Sequence, residues 1–220
     1  MLANTSGARF MRKVKKADEI KIKNIPANVE RFKNGSVSKK SIEEFKKLDR
    51  QLQNLTRTEG GIDPMTFMEK IYAFVDSYMD RDIYKFTECA KGCAYCCRLY
   101  TSVSGLEAAY MLEKTKHLKD IAFTRIDSEA QATQNENDEY CPFLNTSTGT
   151  CRAYSSRPLN CRVFASIDGW KECVDLNNSH NMHSWSSNEM LAHIRDNINE
   201  ITASSGLVVE ADIRDWFSKK

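Results

Sequence analysis

Four of the chain's eight cysteines fall within nine residues, Cys89, Cys93, Cys96 and Cys97 in CAKGCAYCC. The other four, Cys141, Cys151, Cys161 and Cys173, follow at short, even intervals, and none lies elsewhere. A cluster this dense makes a multi-thiolate metal site the first expectation. Disulfides are rare where thiols are kept reduced. The N-terminal MLANTSGARFMRKVKKADE is basic but lacks the apolar stretch of an export signal. A cytoplasmic protein with metal-ligating cysteines is therefore expected ahead of four disulfides, and ahead of thiols that are merely buried.

At 220 residues the chain suffices for one good core and a small appendage. Its 41% hydrophobic and 28% charged residues are those of a globular protein. No apolar run approaches the roughly 18 residues of a membrane span. The net charge of +2 is uneven: residues 1–50 carry 14 Lys+Arg against 6 Asp+Glu, and the remainder 18 against 24. Residues 1–60 thus read as a basic arm with an amphipathic helix, ahead of a cysteine-cluster domain over 61–220. The arm offers a surface for an acidic or protein partner. No aromatic interleaving or nucleic-acid motif accompanies the charge, and a solvated arm is the plainer expectation.

Periodicity predicts helices around the cysteines. Residues 1–37, broken by Asn24, Pro26, Asn34 and Gly35, read as largely irregular. Ser41 and Glu44 form a capping-box pattern ahead of Ile42, Phe45, Leu48, Leu52 and Leu55 at helical spacing, with a stop at Gly60-Gly61. Asp63-Pro64 opens a second helix with Met65, Met68, Ile71, Tyr72, Val75 and Met79 on one face. Ser104 and Glu107 open a third, through Leu106, Ala109, Tyr110 and Leu112 to Lys116. Residues 117–139 read as partly helical before the polar QATQNENDE. Ser186 and Glu189 open a long helix bearing Met190, Leu191, Ile194, Ile198 and Ile201, stopped by Gly206. A short helix around Ile213, Trp216 and Phe217 closes the chain. Residues 140–173 are rich in turn chemistry. The fold class expected is mainly α, with helices around a loop-rich, cysteine-liganded metal-binding centre.

Cys89-x3-Cys93-x2-Cys96 lets several sulfurs converge on one small centre. Adjacent side chains diverge, so Cys97 belongs to a second centre or is a structural thiol. Eight thiolates suit two zinc sites, an iron–sulfur cluster with a zinc site, or one cluster with thiols to spare, and spacing does not choose. Arginine follows three cysteines, as Cys97-Arg98, Cys151-Arg152 and Cys161-Arg162, and Arg157 is close in sequence. These guanidinium groups are expected to offset thiolate charge. His180 and His183, in HNMH, are candidate ligands set against a plainer reading as solvated loop residues. His117 and His193 read as ordinary boundary residues.

The run CAKGCAYCC, followed by CPFLNTSTGTCRAYSSRPLNCRVF, resembles the CxxCxxCC cysteine-cluster family, or YkgJ-type proteins, a zinc- or iron-chelating domain. The resemblance rests on Cys96-Cys97, on Cys-Pro-Phe-Leu at 141–144, and on Cys151 with Tyr154. It also rests on Arg157-Pro158 leading to Cys161-Arg162 and Phe164. It covers about residues 86–175, with a first spacer of three residues where the family's name implies two. It implies chelation of zinc or iron, including a [4Fe-4S] cluster, by all eight cysteines. A related group, the flagellin lysine N-methylases, joins a similar domain to methyl transfer from S-adenosylmethionine, but no glycine-rich loop after a strand marks a methyl-donor site here. Cys89, Cys93 and Cys96 also fit the radical S-adenosylmethionine signature, yet a chain this short has little room for the barrel that signature needs. The function expected is metal binding. A zinc-stabilised interaction module and an iron–sulfur enzyme are the two ways it would be used, and no catalytic residue stands out.

Overall fold

The structure is a computed structural model that describes residues 25–33, 37–56, 63–89, 92–128, 139–174 and 180–220. Helices dominate it, in agreement with the mainly α expectation. The irregular start expected over residues 1–37 lies largely outside the described residues, but Ile25–Lys33 is a helix, α1. Pro26 falls in its first turn, where a missing N–H costs no intrahelical bond. The proline marks a helix start here, not a break.

Helix α2 spans Lys39–Thr56. Its start is not the expected capping box. Ser38 takes that role, accepting from Ser41 N at 3.3 Å and, through its carbonyl, from Ile42 N at 3.1 Å. Ser41 turns inward and donates to Asp82 at 2.6 Å, and Glu44 pairs with Arg81 at 2.6 Å. Asp82 is buried and also accepts from Ser38 N and Oγ. That anchor rotates the helix so that Leu48 and Leu52 are buried while Ile42 stays 41% exposed. An unpaired buried carboxylate costs more than one exposed isoleucine, which sets the direction. The side chain of Leu55 and the Gly60-Gly61 stop lie outside the described residues.

Helix α3, Pro64–Tyr78, begins as expected, with Asp63 Oδ2 accepting from Thr66 N at 2.8 Å. Its buried face is Phe67, Met68, Ile71, Tyr72, Phe74, Val75 and Tyr78. It runs into a π-helical turn, Met79–Ile83, which presents Asp82 to α2. Helix α4, Gly105–Thr115, forms the Ser104–Glu107 capping box in both directions. It buries Leu106, Ala108, Tyr110 and Met111 and leaves Leu112 exposed. Helix α5 is short, Leu159–Val163. Helix α6, Glu189–Ser204, is capped by Asn188, not Ser186, and buries Met190, Leu191, Ile194 and Ile198. Gly206, at φ 67°, follows its end, a conformation only glycine adopts cheaply. Helix α7 is Ile213–Trp216.

Among the described residues the strands form four antiparallel pairs, each of two or three residues. β1 (Ser102–Val103) pairs with β7 (Ala211–Asp212), and β2 (Ile121–Phe123) with β8 (Phe217–Lys219). β3 (Leu144–Asn145) pairs with β4 (Thr150–Cys151), and β5 (Ala165–Ser166) with β6 (Met182–His183). Residues 121–123 are therefore strand where partial helix is expected. Their partner is the end of the chain, and Phe123 sits among Trp216 and Phe217 at ring separations of 6.1 and 5.4 Å. Among the described residues, pairs this short frame no β/α barrel.

The described residues form two apolar cores. The first joins α2, α3, α4, α5 and α6 through residues such as Leu52, Phe67, Ile71, Leu106, Leu159 and Leu191, with Cys89 packed against it. The second gathers Val103, Met111, Phe143, Ala153, Trp216 and Phe217, with Cys141 and Cys151 packed against it. The cysteines lie where these cores meet.

Candidate metal centre

Local structure delivers each thiol separately. Gly92, at φ 95°, turns the chain into Cys93, and a Cβ there would meet the Thr148 carbonyl at 3.8 Å in a strained backbone. A 3-10 turn, Tyr95–Arg98, carries Cys96 and Cys97. Cys141 N donates to the Cys97 carbonyl at 2.8 Å, which ties the second cysteine segment to the first. The β3–β4 hairpin pairs Leu144 with Cys151, and Leu144 N reaches back to the Cys141 carbonyl at 2.9 Å. Cys161 rides on α5, whose first N–H, that of Leu159, donates to Glu107 Oε1 at 2.7 Å. Cys173 ends the 3-10 turn Trp170–Cys173.

All eight cysteines are partly buried, and none forms a disulfide. Cys89 neighbours Cys93, Cys96 and Cys173, and Cys173 neighbours Cys93 and Cys96. Cys161 neighbours Cys141, Cys151 and Cys96, and Cys96 hydrogen-bonds Cys97. Cys96 is therefore an electrostatic neighbour of both sets. Loss of water pushes the Cys141 thiol up to about 12 and that of Cys173 up to about 11, with neighbouring thiols adding to the rise. Cys89, Cys151 and Cys161 are raised chiefly by burial. Cys96 is raised first by its bond to Cys97 and then by burial.

Among the described residues, no three His, Cys, Asp or Glu side chains stand at ligating geometry around one point. The donor chemistry nevertheless fits a thiophilic cation. Neutral thiols gain little by converging, and a cation supplies both the attraction and the charge that lets them ionise. Eight soft sulfurs at one seam are of the kind zinc and iron take, not magnesium or calcium.

The arginines correct the expectation drawn from the Cys-Arg pairs. Arg152 faces away, pairing with Asp120 at 2.5 Å and holding that carboxyl down to about 2. Arg162 is fully buried, pairs with Asp76 at 2.6 Å, lies over the Tyr72 ring, and donates to the carbonyls of Arg157 and Ser155. Arg98 donates to the Val174 carbonyl and lies over Tyr140. Arg157 is the guanidinium near the sulfurs, lowering the pKa of Cys96, Cys151 and Cys161. Arg214, which no cysteine motif announces, donates to the Cys97 and Leu99 carbonyls and lowers the pKa of Cys141.

The histidines separate cleanly. His183 is fully buried and uses both ring nitrogens: Nδ1 meets the Val163 carbonyl at 2.6 Å, and Nε2 meets Tyr78 Oη at 3.1 Å. A carbonyl only accepts, so Nδ1 carries the proton and Nε2 accepts from tyrosine. Burial lowers its pKa and keeps it neutral. His183 is thus a core residue. His180 Nε2 stands 3.9 Å from Cys173 Sγ, beside the thiols. His193 pairs with Asp49 at 3.0 Å and packs edge-on against Phe45, while His117 is exposed.

No helix among the described residues is long and apolar enough to cross a membrane. No curated protein and no solved structure shows a significant match to the chain. One family model does match, described as "CxxCxxCC: Putative zinc- or iron-chelating domain", over residues 88–188. That span runs from the residue before Cys89 to the N-cap of α6 and takes in every thiol at the seam. Residues 88–188 of this chain are accordingly similar to the CxxCxxCC domains described as zinc- or iron-chelating.

Proposed function

We propose that the chain is a metal-binding protein in which Cys89, Cys93, Cys96, Cys97, Cys141, Cys151, Cys161 and Cys173 ligate zinc or iron. The bound cation then holds the loop-rich seam between the two cores and so maintains a surface for a partner. One observation carries the reading. Thiols from widely spaced stretches are electrostatic neighbours, though most of the described segments that carry them are turns and two-residue strands. Such backbone has few ladder bonds to hold it, and ligation supplies the missing links. The chain's own residues prepare the place: Arg157 and Arg214 bring positive charge to the sulfurs, and burial keeps water from them. A reducing compartment, such as the cytoplasm, would preserve these thiols for ligation.

Anaerobic purification followed by elemental analysis tests this. Stoichiometric zinc or iron is expected, and a visible spectrum separates colourless zinc protein from a brown iron–sulfur protein. Cys93→Ser and Cys161→Ser should each lower metal content and melting temperature. A well-folded chain that carries no metal, or two variants that keep full metal content and stability, would overturn the assignment.

A further inference from the structure

Ser166 is 1% exposed and meets four groups at one end of the seam, one of them the Cys173 thiol beside its hydroxyl. Its backbone N–H donates to Cys89 Sγ at 3.3 Å. Its hydroxyl donates to the Gly169 carbonyl at 2.8 Å and lies 3.3 Å from His180 Nδ1. A serine hydroxyl has a single proton, and the carbonyl takes it. Towards the imidazole the oxygen can only accept, so Nδ1 carries hydrogen and Nε2 keeps its lone pair. Nε2 is the atom that stands 3.9 Å from Cys173 Sγ. An imidazole whose far nitrogen is pinned by an acceptor, with its bare nitrogen turned to other donors, is oriented as metal-binding histidines are.

The residues that follow His180 are tied to those that follow Ser166. Ile167 N donates to the Asn181 carbonyl at 2.9 Å, Asp168 accepts from Asn181, and β5 pairs with β6 immediately beyond. Cys93 neighbours both Cys89 and Cys173, so three sulfurs and one nitrogen occupy this end. We propose that His180 completes a sulfur–nitrogen site with Cys89, Cys93 and Cys173 for a borderline-soft divalent cation of the zinc type. This site is distinct from the all-sulfur group of Cys141, Cys151 and Cys161. The inference rests on the metal-binding reading above and adds a ninth donor to it. A thiol proton directed from Cys173 to Nε2 would give the same contact, and such a pair serves as nucleophile and base. The two thiols beside it and the N–H held on Cys89 favour the metal.

Cobalt(II) titration of the full chain, stripped of metal under anaerobic conditions, reads the site directly, with zinc content measured in parallel. His180→Gln is expected to lose one equivalent or to bind it at least about 10-fold more weakly, leaving the remaining cobalt bands in place. His180→Cys should retain that equivalent and move its charge-transfer bands towards an all-sulfur pattern. Ser166→Ala should weaken the same equivalent by about 10–100-fold, because the imidazole loses its orienting acceptor. Unchanged stoichiometry and cobalt spectrum in His180→Gln would overturn the inference. So would a His180→Gln variant with intact metal content but slower alkylation of Cys173. A wild-type chain that takes up neither cobalt nor zinc would overturn the metal-binding reading together with this one.

Discussion

At the scale of single residues, the Cys-Arg pairs show how far adjacency misleads. Neighbouring side chains diverge, so a cysteine that faces the seam sends the next residue elsewhere. Arg152 goes to Asp120, and Arg162 to Asp76 and two carbonyls. Arg157 lies just ahead of Pro158, the N-cap of α5, which carries Cys161. Its guanidinium is the one that lowers the pKa of three thiols. Arg157→Gln should therefore weaken metal retention by about 10-fold, as loss of a supporting contact around a metal commonly does. Arg152→Gln should leave retention unchanged, since its partner is a carboxylate on the far side. Competition against a chelator measures both, and equal effects from the two variants would remove Arg157 from this role. The thiols were legible in the sequence because sulfur is scarce and its clustering is hard to explain otherwise. Arg214 and Ser166 were not, because neither stands at a recognisable spacing from any cysteine.

At the scale of elements, helices were legible wherever a cap and an apolar face agreed. Asp63-Pro64 and Ser104–Glu107 open α3 and α4 where the sequence places them. The Ser41–Glu44 pattern failed because Asp82, on a π-helical turn some forty residues away, claims Ser41. The strand at 121–123 was hidden for the same reason: its partner is the chain's last segment. Long-range partners leave no local period to read. Glu107 shows one side chain serving several elements. Its carboxylate accepts from Ser104 N and Oγ at the start of α4, from Leu159 N at the start of α5, and from Tyr72 Oη on α3. Glu107→Ala removes one cap, worth about 1 kcal/mol. It also strands the buried Leu159 N–H and Tyr72 hydroxyl at about 1–3 kcal/mol each. Chemical denaturation should show a loss of about 3 kcal/mol or more and a weaker hold on metal, because α5 carries Cys161. A loss below about 1 kcal/mol would show that water or a neighbour replaces the carboxylate.

At the scale of the whole molecule, the two cores depend on the seam to different degrees. The first is formed by facing helices, α2 to α6, whose backbone bonds are internal and whose contacts are apolar. The second draws on Phe143 and Ala153 from the hairpin segment, with Cys141 and Cys151 against its edge. The hairpin has two residues in each strand, too few to persist by ladder bonds alone. Stripping the metal should therefore open the molecule unevenly. Hydrogen exchange on the chelator-treated 220-residue chain should keep α3 and α6 protected while amides over 141–153 and 165–173 lose protection by at least about 10-fold. Segments that open without the rest are those with few internal bonds and much irregular backbone, which describes the cysteine loops and not the helices. Restoring zinc or iron should bring the protection back. Uniform loss across α3, α6 and the hairpin would make the metal centre the keystone of a single cooperative unit, and unchanged exchange throughout would deny it any part in holding the seam.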